Sequence, residues 1–185
     1  NEVTHLIQNF MDVPHTVFVH AKWFRNRSLL KVPVEVKVAD SRVKVTYKQQ
    51  NDSIGFTGKI LNPKNEPMIH TDEYIFPNIT RVDYQFGKSF FIINSQCTPI
   101  DKFKTRVYTW IAYDIGIVSK PLKYFMQFYT RKVIQQDVEI MKNQGDNLKV
   151  FGEGEYKSTQ ADELHIAIDK MREMGKTNNQ SPASL

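Results

Sequence analysis

The chain has 185 residues, is 41% hydrophobic and 24% charged, and carries a net charge of +5. That size and composition suit one domain with a real core; no apolar run approaches the roughly 18 residues that span a bilayer, and there is no signal-like start, so a soluble protein is expected. Lys and Arg form no block of like charges, which sets nucleic-acid binding aside, and the single cysteine, Cys97, excludes an intrachain disulfide and fits a reducing, cytoplasmic setting.

The first element is a helical segment in which Asn9, Asp12, His15 and His20 interrupt an apolar run of Leu6, Ile7, Phe10, Met11, Val13, Val17, Phe18 and Val19. Burying that run also buries a carboxylate and two imidazoles, which is costly unless each finds a partner. Steps of three keep Asn9, Asp12 and His15 on one helix face, whereas the step to His20 turns by about 140°. The two histidines therefore converge only where the helix ends or distorts, as Pro14, Thr16, Val17 and Val19 favour. Hydrogen-bonded core histidines are the plain reading, but four such residues together point to a metal. The His-Glu-x-x-His pattern of zinc hydrolases is absent, which leaves that class little weight. Two histidines plus one carboxylate suit non-haem ferrous iron, with the carboxylate arriving from elsewhere in the chain.

The densest basic group follows, Lys22, Arg25, Arg27 and Lys31, read as a solvated face or a docking surface for an acidic redox partner. Period-two patterning then predicts antiparallel strands over Val32 to Val38, Arg42 to Tyr47, Gly55 to Ile60, Glu73 to Phe76, Arg81 to Phe86, Phe90 to Asn94 and Lys104 to Tyr113. Asp40-Ser41 and Asn51-Asp52-Ser53 read as turns, and Asn62 to Pro67 as a loop. From Lys120 to about Asn143 the period changes to that of an amphipathic helix, with Pro121 in its first turn and Asp137 in its C-terminal half. A last helix follows Thr159, its N-cap, with Asp162 as the capping-box acid and Leu164, Ile168 and Met171 as its apolar stripe. Residues 175–185 read as a disordered tail. His5 and His70 lack partners at ligand spacing and are expected at the surface, and His165 is expected to be structural. Core packing is the expected role of most of Phe90, Phe91, Trp110, Tyr124, Phe125, Phe128 and Tyr129.

The pattern Asn9-x-x-Asp12-x-x-His15-x-x-x-x-His20 resembles the iron-binding signature of the catalytic domain of Rieske non-haem iron oxygenases, in the branch of vanillate demethylase, dicamba monooxygenase and phthalate oxygenase. The segment from Gln96 through Thr98-Pro99 to Trp110 is similar to the Thr-Pro segment and core strand of that branch. The resemblance implies that His15 and His20 bind Fe(2+), that Asp12 bridges toward the Rieske cluster of a neighbouring subunit, and that Asn9 sits by the metal. It also implies a carboxylate ligand on a long helix far downstream. Asp137 is the choice and Glu139 the reserve, because the family's ligand is more often Asp just ahead of a Val/Ile-rich helical run.

The implied fold is α+β, the helix-grip architecture of START/SRPBCC-like proteins, with a bent antiparallel sheet around a long C-terminal helix and a cavity between them. The implied organisation is an iron-binding oxygenase domain over residues 1–174. A Rieske cluster needs two Cys and two His, so the 2Fe-2S group is expected in an N-terminal domain absent from this chain, which then reads as a piece of a longer polypeptide. The implied activity is monooxygenation, by hydroxylation or oxidative demethylation, of a small hydrophobic or aromatic substrate with O2. Electrons are expected from NAD(P)H through a reductase or ferredoxin, in a homotrimer. The alternative is a helix-grip module that binds a hydrophobic ligand without iron.

Overall fold

The computed structural model describes residues 1–13, 15–20, 33–48, 55–159 and 162–180. Six strands, β1 (Val34–Ala39), β2 (Arg42–Tyr47), β3 (Met68–Ile75), β4 (Ile79–Phe86), β5 (Ser89–Asp101) and β6 (Lys104–Asp114), form one antiparallel sheet in chain order. Short hairpins join β1 to β2, β3 to β4, β4 to β5 and β5 to β6, so those strands pair with their sequence neighbours; β2 and β3 pair across the longer segment 48–67. Asp40 takes a positive φ of 48° in the first hairpin, where the sequence predicts a turn. Asn62 closes the predicted loop by donating to the Glu66 carbonyl (2.8 Å) and accepting from its N–H (2.8 Å).

Three helices carry the opposing layer. α1 (Val3–Met11) and α5 (Glu163–Gln180) cover β2 and β3, where Ile7, Met11, Val43, Val45, Tyr74 and Ile168 form one core cluster. α4 (Ser119–Phe151), 33 residues long, lays Met126 and Tyr129 against Tyr84, Phe86 and Phe91 in a second. Met126, Tyr129, Val133, Asp137 and Met141 recur at steps of three and four on this helix, so a single face meets the sheet. The expected sheet and gripped helix are thus present, and no helix of the described residues is long and apolar enough to cross a membrane.

α5 clasps the turn between β3 and β4. Arg172 donates to the Tyr74 hydroxyl (3.2 Å), the Pro77 carbonyl (2.5 Å) and the Asn78 amide oxygen (2.9 Å). Gly175 lies against the Phe76 ring, and a Cβ there would come within 2.3 Å of it, so the close approach needs glycine. Ile168, fully buried at 0% exposure, packs in the first core cluster with Ile7, Met11, Val43 and Tyr74. Ile168→Ala should lower unfolding free energy by roughly 2–5 kcal/mol, measured by urea titration, because the cavity it leaves is walled by packed side chains on every side.

Several expectations change. Gly55–Leu61 is a helix, α3, rather than a strand; a short apolar run does not distinguish the two, and Leu61 is driven into the core, beside Tyr84 and Phe86. β3 and β5 are longer than the hydrophobic pattern implies, because their inward positions include His70, Asp72 and Ser95. His70 is not at the surface but 1% exposed. His5 is partly buried, with its Nε2 3.7 Å from Glu153. Phe91 and Tyr129 are core residues, but Phe90, Trp110, Tyr124, Phe125 and Phe128 are exposed, so most of these aromatics are not core. α5 runs through Gly175 to Gln180, into the stretch read as tail. Thr159 donates its N–H to Asp162 (2.6 Å), the acid's half of the expected box. Val32, the Asn51-Asp52-Ser53 turn, the Lys22 to Lys31 basic group and residues 181–185 lie outside the described residues.

Candidate metal centre

α1 ends at Met11, and its C-cap Asp12 adopts extended backbone (φ −86°, ψ 92°). A separate helical turn, α2 (His15–Phe18), follows. The break comes before His15 as well as after Phe18, so Asn9 and His15 are not on one continuous helix, yet both histidines reach the same carboxylate on α4. Their Nε2 atoms are 3.3 Å apart.

Asp137 meets them from α4, with Oδ1 3.1 Å from His20 Nε2 and 3.5 Å from His15 Nε2. His20 is 2% exposed and the three form a largely buried group. Glu139, two residues on, is turned about 200° round the helix; it is exposed and accepts from Gln135 (3.3 Å). Asn9 donates its amide to Asp137 Oδ1 (3.3 Å).

The far side of each imidazole decides its tautomer. His15 Nδ1–H donates to the Asp12 backbone carbonyl, and His20 Nδ1–H donates to the Gln136 side-chain oxygen (3.0 Å). Both Nε2 atoms then face the carboxylate: protonated, they donate to it, and on giving up that proton each presents the lone pair with which imidazole binds a metal. Ligands about 2.1 Å from one ion and about 90° apart stand about 3 Å from each other. The observed separations fit such an ion, and the donors come from one side, leaving positions open. A mononuclear divalent cation of the iron type therefore fits the residues present.

The charges are matched. Burial alone would push His15 down, but the Asp137 carboxylate and the Asp12 carbonyl outweigh it and hold its pKa above the usual value. Burial would push Asp137 up, yet hydrogen bonds from both imidazoles hold it at about 2. Burial raises the Asp12 carboxyl, against the opposing pull of His15 and His165.

Gln136 gave no sequence signal, being a neutral amide in a Gln-Gln-Asp run; its place next to a ligand candidate was the only cue. Adjacent helix residues thus hold both ring nitrogens of His20. Gln136→Leu should weaken ferrous affinity by about 10–100-fold in calorimetric titration, as loss of an outer hydrogen-bond partner typically does, while leaving the melting profile nearly unchanged.

The three donor residues line a cavity of about 750 Å³ between α1, α4 and the sheet, walled by Leu6, Phe10, Tyr84, Phe91 and Tyr129. That is the size of a small-molecule site.

Residues 3–174 match the family described as vanillate O-demethylase oxygenase C-terminal domain. Among solved structures, dicamba monooxygenase bound to 3,6-dichlorosalicylic acid is similar at a TM-score of 0.79 and 14% identity, over 97% of this chain and 57% of that one. A mutant of NdmA from Pseudomonas putida CBB5, with theobromine, aligns at a TM-score of 0.73 and 15% identity, over 96% of this chain and 48% of that one. NdmB from the same organism gives 0.69 and 14%, over 96% and 48%. The chain thus spans about half the length of these proteins. A comparison with curated protein sequences finds no match.

Proposed function

The chain belongs to the family of vanillate O-demethylase oxygenase C-terminal domains, the catalytic domain of Rieske oxygenases, and on that premise we propose that His15, His20 and Asp137 hold one Fe(2+) used to oxidise a small hydrophobic or aromatic substrate with O2. The observation that carries this reading is the convergence of two Nε2 atoms and one carboxylate oxygen within 3.5 Å, at the wall of an apolar cavity. When bound, ferrous iron with open positions supplies the one-electron activation of dioxygen that no side chain offers.

The residues have separate tasks. The Asp12 carbonyl and Gln136 orient the imidazoles, and Asn9 steadies Asp137. Phe10, Phe91 and Tyr129 receive the substrate ring and exclude water. The reaction is a monooxygenation, hydroxylating the substrate or, where a methyl group is oxidised, demethylating it. Electrons from NAD(P)H reach the site through a reductase or ferredoxin and a 2Fe-2S Rieske cluster. With one cysteine this chain does not ligate that cluster, so an N-terminal domain supplies it, in a homotrimer where Asp12 faces the cluster of the neighbouring subunit. A module that only bound a ligand would gain nothing from three converged donor atoms, and the family membership favours the oxygenase over it.

Anaerobic ferrous titration tests the proposal. Equimolar binding, and a high-spin iron-nitrosyl signal on adding nitric oxide as a dioxygen surrogate, are expected; absence of saturable iron binding rejects it. Protons compete with the metal for His15, whose raised pKa makes it charged at higher pH than a free histidine. Iron affinity should therefore fall on acidification from about pH 8 to about pH 6, while Asp137, held at about 2, stays ionised throughout.

A further inference from the structure

The strand register arranges the inner face of the sheet in rows. In one, Val45, Asp72, Val82, Ile93 and Ile111 lie side by side across β2 to β6. A carboxylate in a row of branched aliphatic side chains is costly, and Asp72 is 1% exposed. Its neighbours offset that cost. Tyr47 donates its hydroxyl to Asp72 Oδ2 (2.8 Å) and His70 donates Nε2–H to Oδ1 (2.9 Å). His70 is itself clamped between the rings of Tyr47 and Tyr84, each with centroids 4.2 Å away.

Packed apolar side chains would stabilise this part of the core as well as a buried polar group does. The three strands nonetheless hold one carboxylate in fixed rotation, and Asp72 and Tyr84 both line the same cavity as the metal ligands. With a donor already on each oxygen, Asp72 has only acceptor capacity left to offer a ligand. An anion brought beside it would meet a like charge in a site of low dielectric. Thr80, Ser95 and Thr109 in the next row also line the cavity, and hydroxyls serve as donor or acceptor without changing that sign. Among the described residues, the lysines at the cavity, Lys142 and Lys149, are exposed and paired with Asp146.

We propose that Asp72 is the polar anchor of the cavity and selects substrates bearing a hydrogen-bond donor, an O–H or N–H including a protonated amine, over those bearing a carboxylate. The inference rests on the oxygenase reading for what happens to the bound molecule, and its test separates the two.

Three probes share a ring and a methyl ether and differ only opposite it: 4-methoxybenzyl alcohol, 4-methoxybenzylamine and 4-methoxybenzoate. Anaerobic calorimetry on the metal-free chain, where the carboxylate has no iron to ligate, should show the alcohol and amine binding about tenfold or more tighter than the benzoate. Asp72→Asn should bring the three near parity, and Tyr47→Phe, which keeps the carboxylate, should retain the preference. Iron content is measured in each protein. Failure to bind iron counts against the oxygenase reading alone, because the preference is still read on the metal-free chain. Benzoate binding as tightly as the donor probes, no binding of either donor probe, or an unchanged preference in Asp72→Asn overturns the selection. Should Asp72→Asn not fold, the wild-type and Tyr47→Phe preferences decide it.

Discussion

Asp137→Ala is expected to lose stoichiometric ferrous iron, and oxygenase turnover with it, while the protein still folds; His15→Ala and His20→Ala should do the same. Loss of an outer partner alone costs about 10–100-fold in affinity, so loss of a ligand should cost at least about a hundredfold. The fold should tolerate these changes because each leaves the remaining groups partnered. Without Asp137, His15 keeps its bond to the Asp12 carbonyl and His20 its bond to Gln136. Without His15, Asp137 keeps His20 and the Asn9 amide. A stability change of roughly 1–2 kcal/mol is the expected scale. Iron content by elemental analysis, alongside thermal melts, checks both halves. Full iron retention in Asp137→Ala would remove the carboxylate from the ligand set, with Glu139→Ala as the control that should keep its iron.

Asp12→Asn is expected to separate iron binding from turnover. His15 is oriented by the backbone carbonyl of residue 12, which the substitution leaves in place, so iron should be retained. The side chain is what the proposed route from the neighbouring subunit's cluster requires, and it is half-buried with its pKa raised by burial. In the full-length oxygenase, steady-state turnover driven by NAD(P)H should fall by about 100-fold or more, a loss of roughly 3 kcal/mol of transition-state stabilisation. The nitrosyl signal of the ferrous site should stay near that of the wild type. Loss of iron in this variant would instead make Asp12 part of the metal's support.

The histidines were legible because imidazoles in an apolar run are costly and so advertise a partner. Asp137 was legible only through family resemblance, since one acid on a long amphipathic helix is ordinarily solvated; the choice between it and Glu139 is a question of helix face, which depends on how α4 is rotated against the sheet. Gln136 carried no signal, because a neutral amide costs little wherever it lies. His70 and Asp72 did carry one: they alternate with outward residues on β3, so two inward polar groups in a buried strand should have been read as a pair. α3 was misread because its run is too short for either period to dominate.

From the sequence came the donor types, most of the antiparallel strands and the two C-terminal helices, because hydrophobic periodicity and turn chemistry act between near neighbours. Tertiary structure alone decided which carboxylate meets His15 and His20, which nitrogen of each imidazole faces it, and which side chains line the cavity. Those are distances between atoms far apart in the chain, set by how α1, α4 and the sheet pack, and residue spacing carries no information about them.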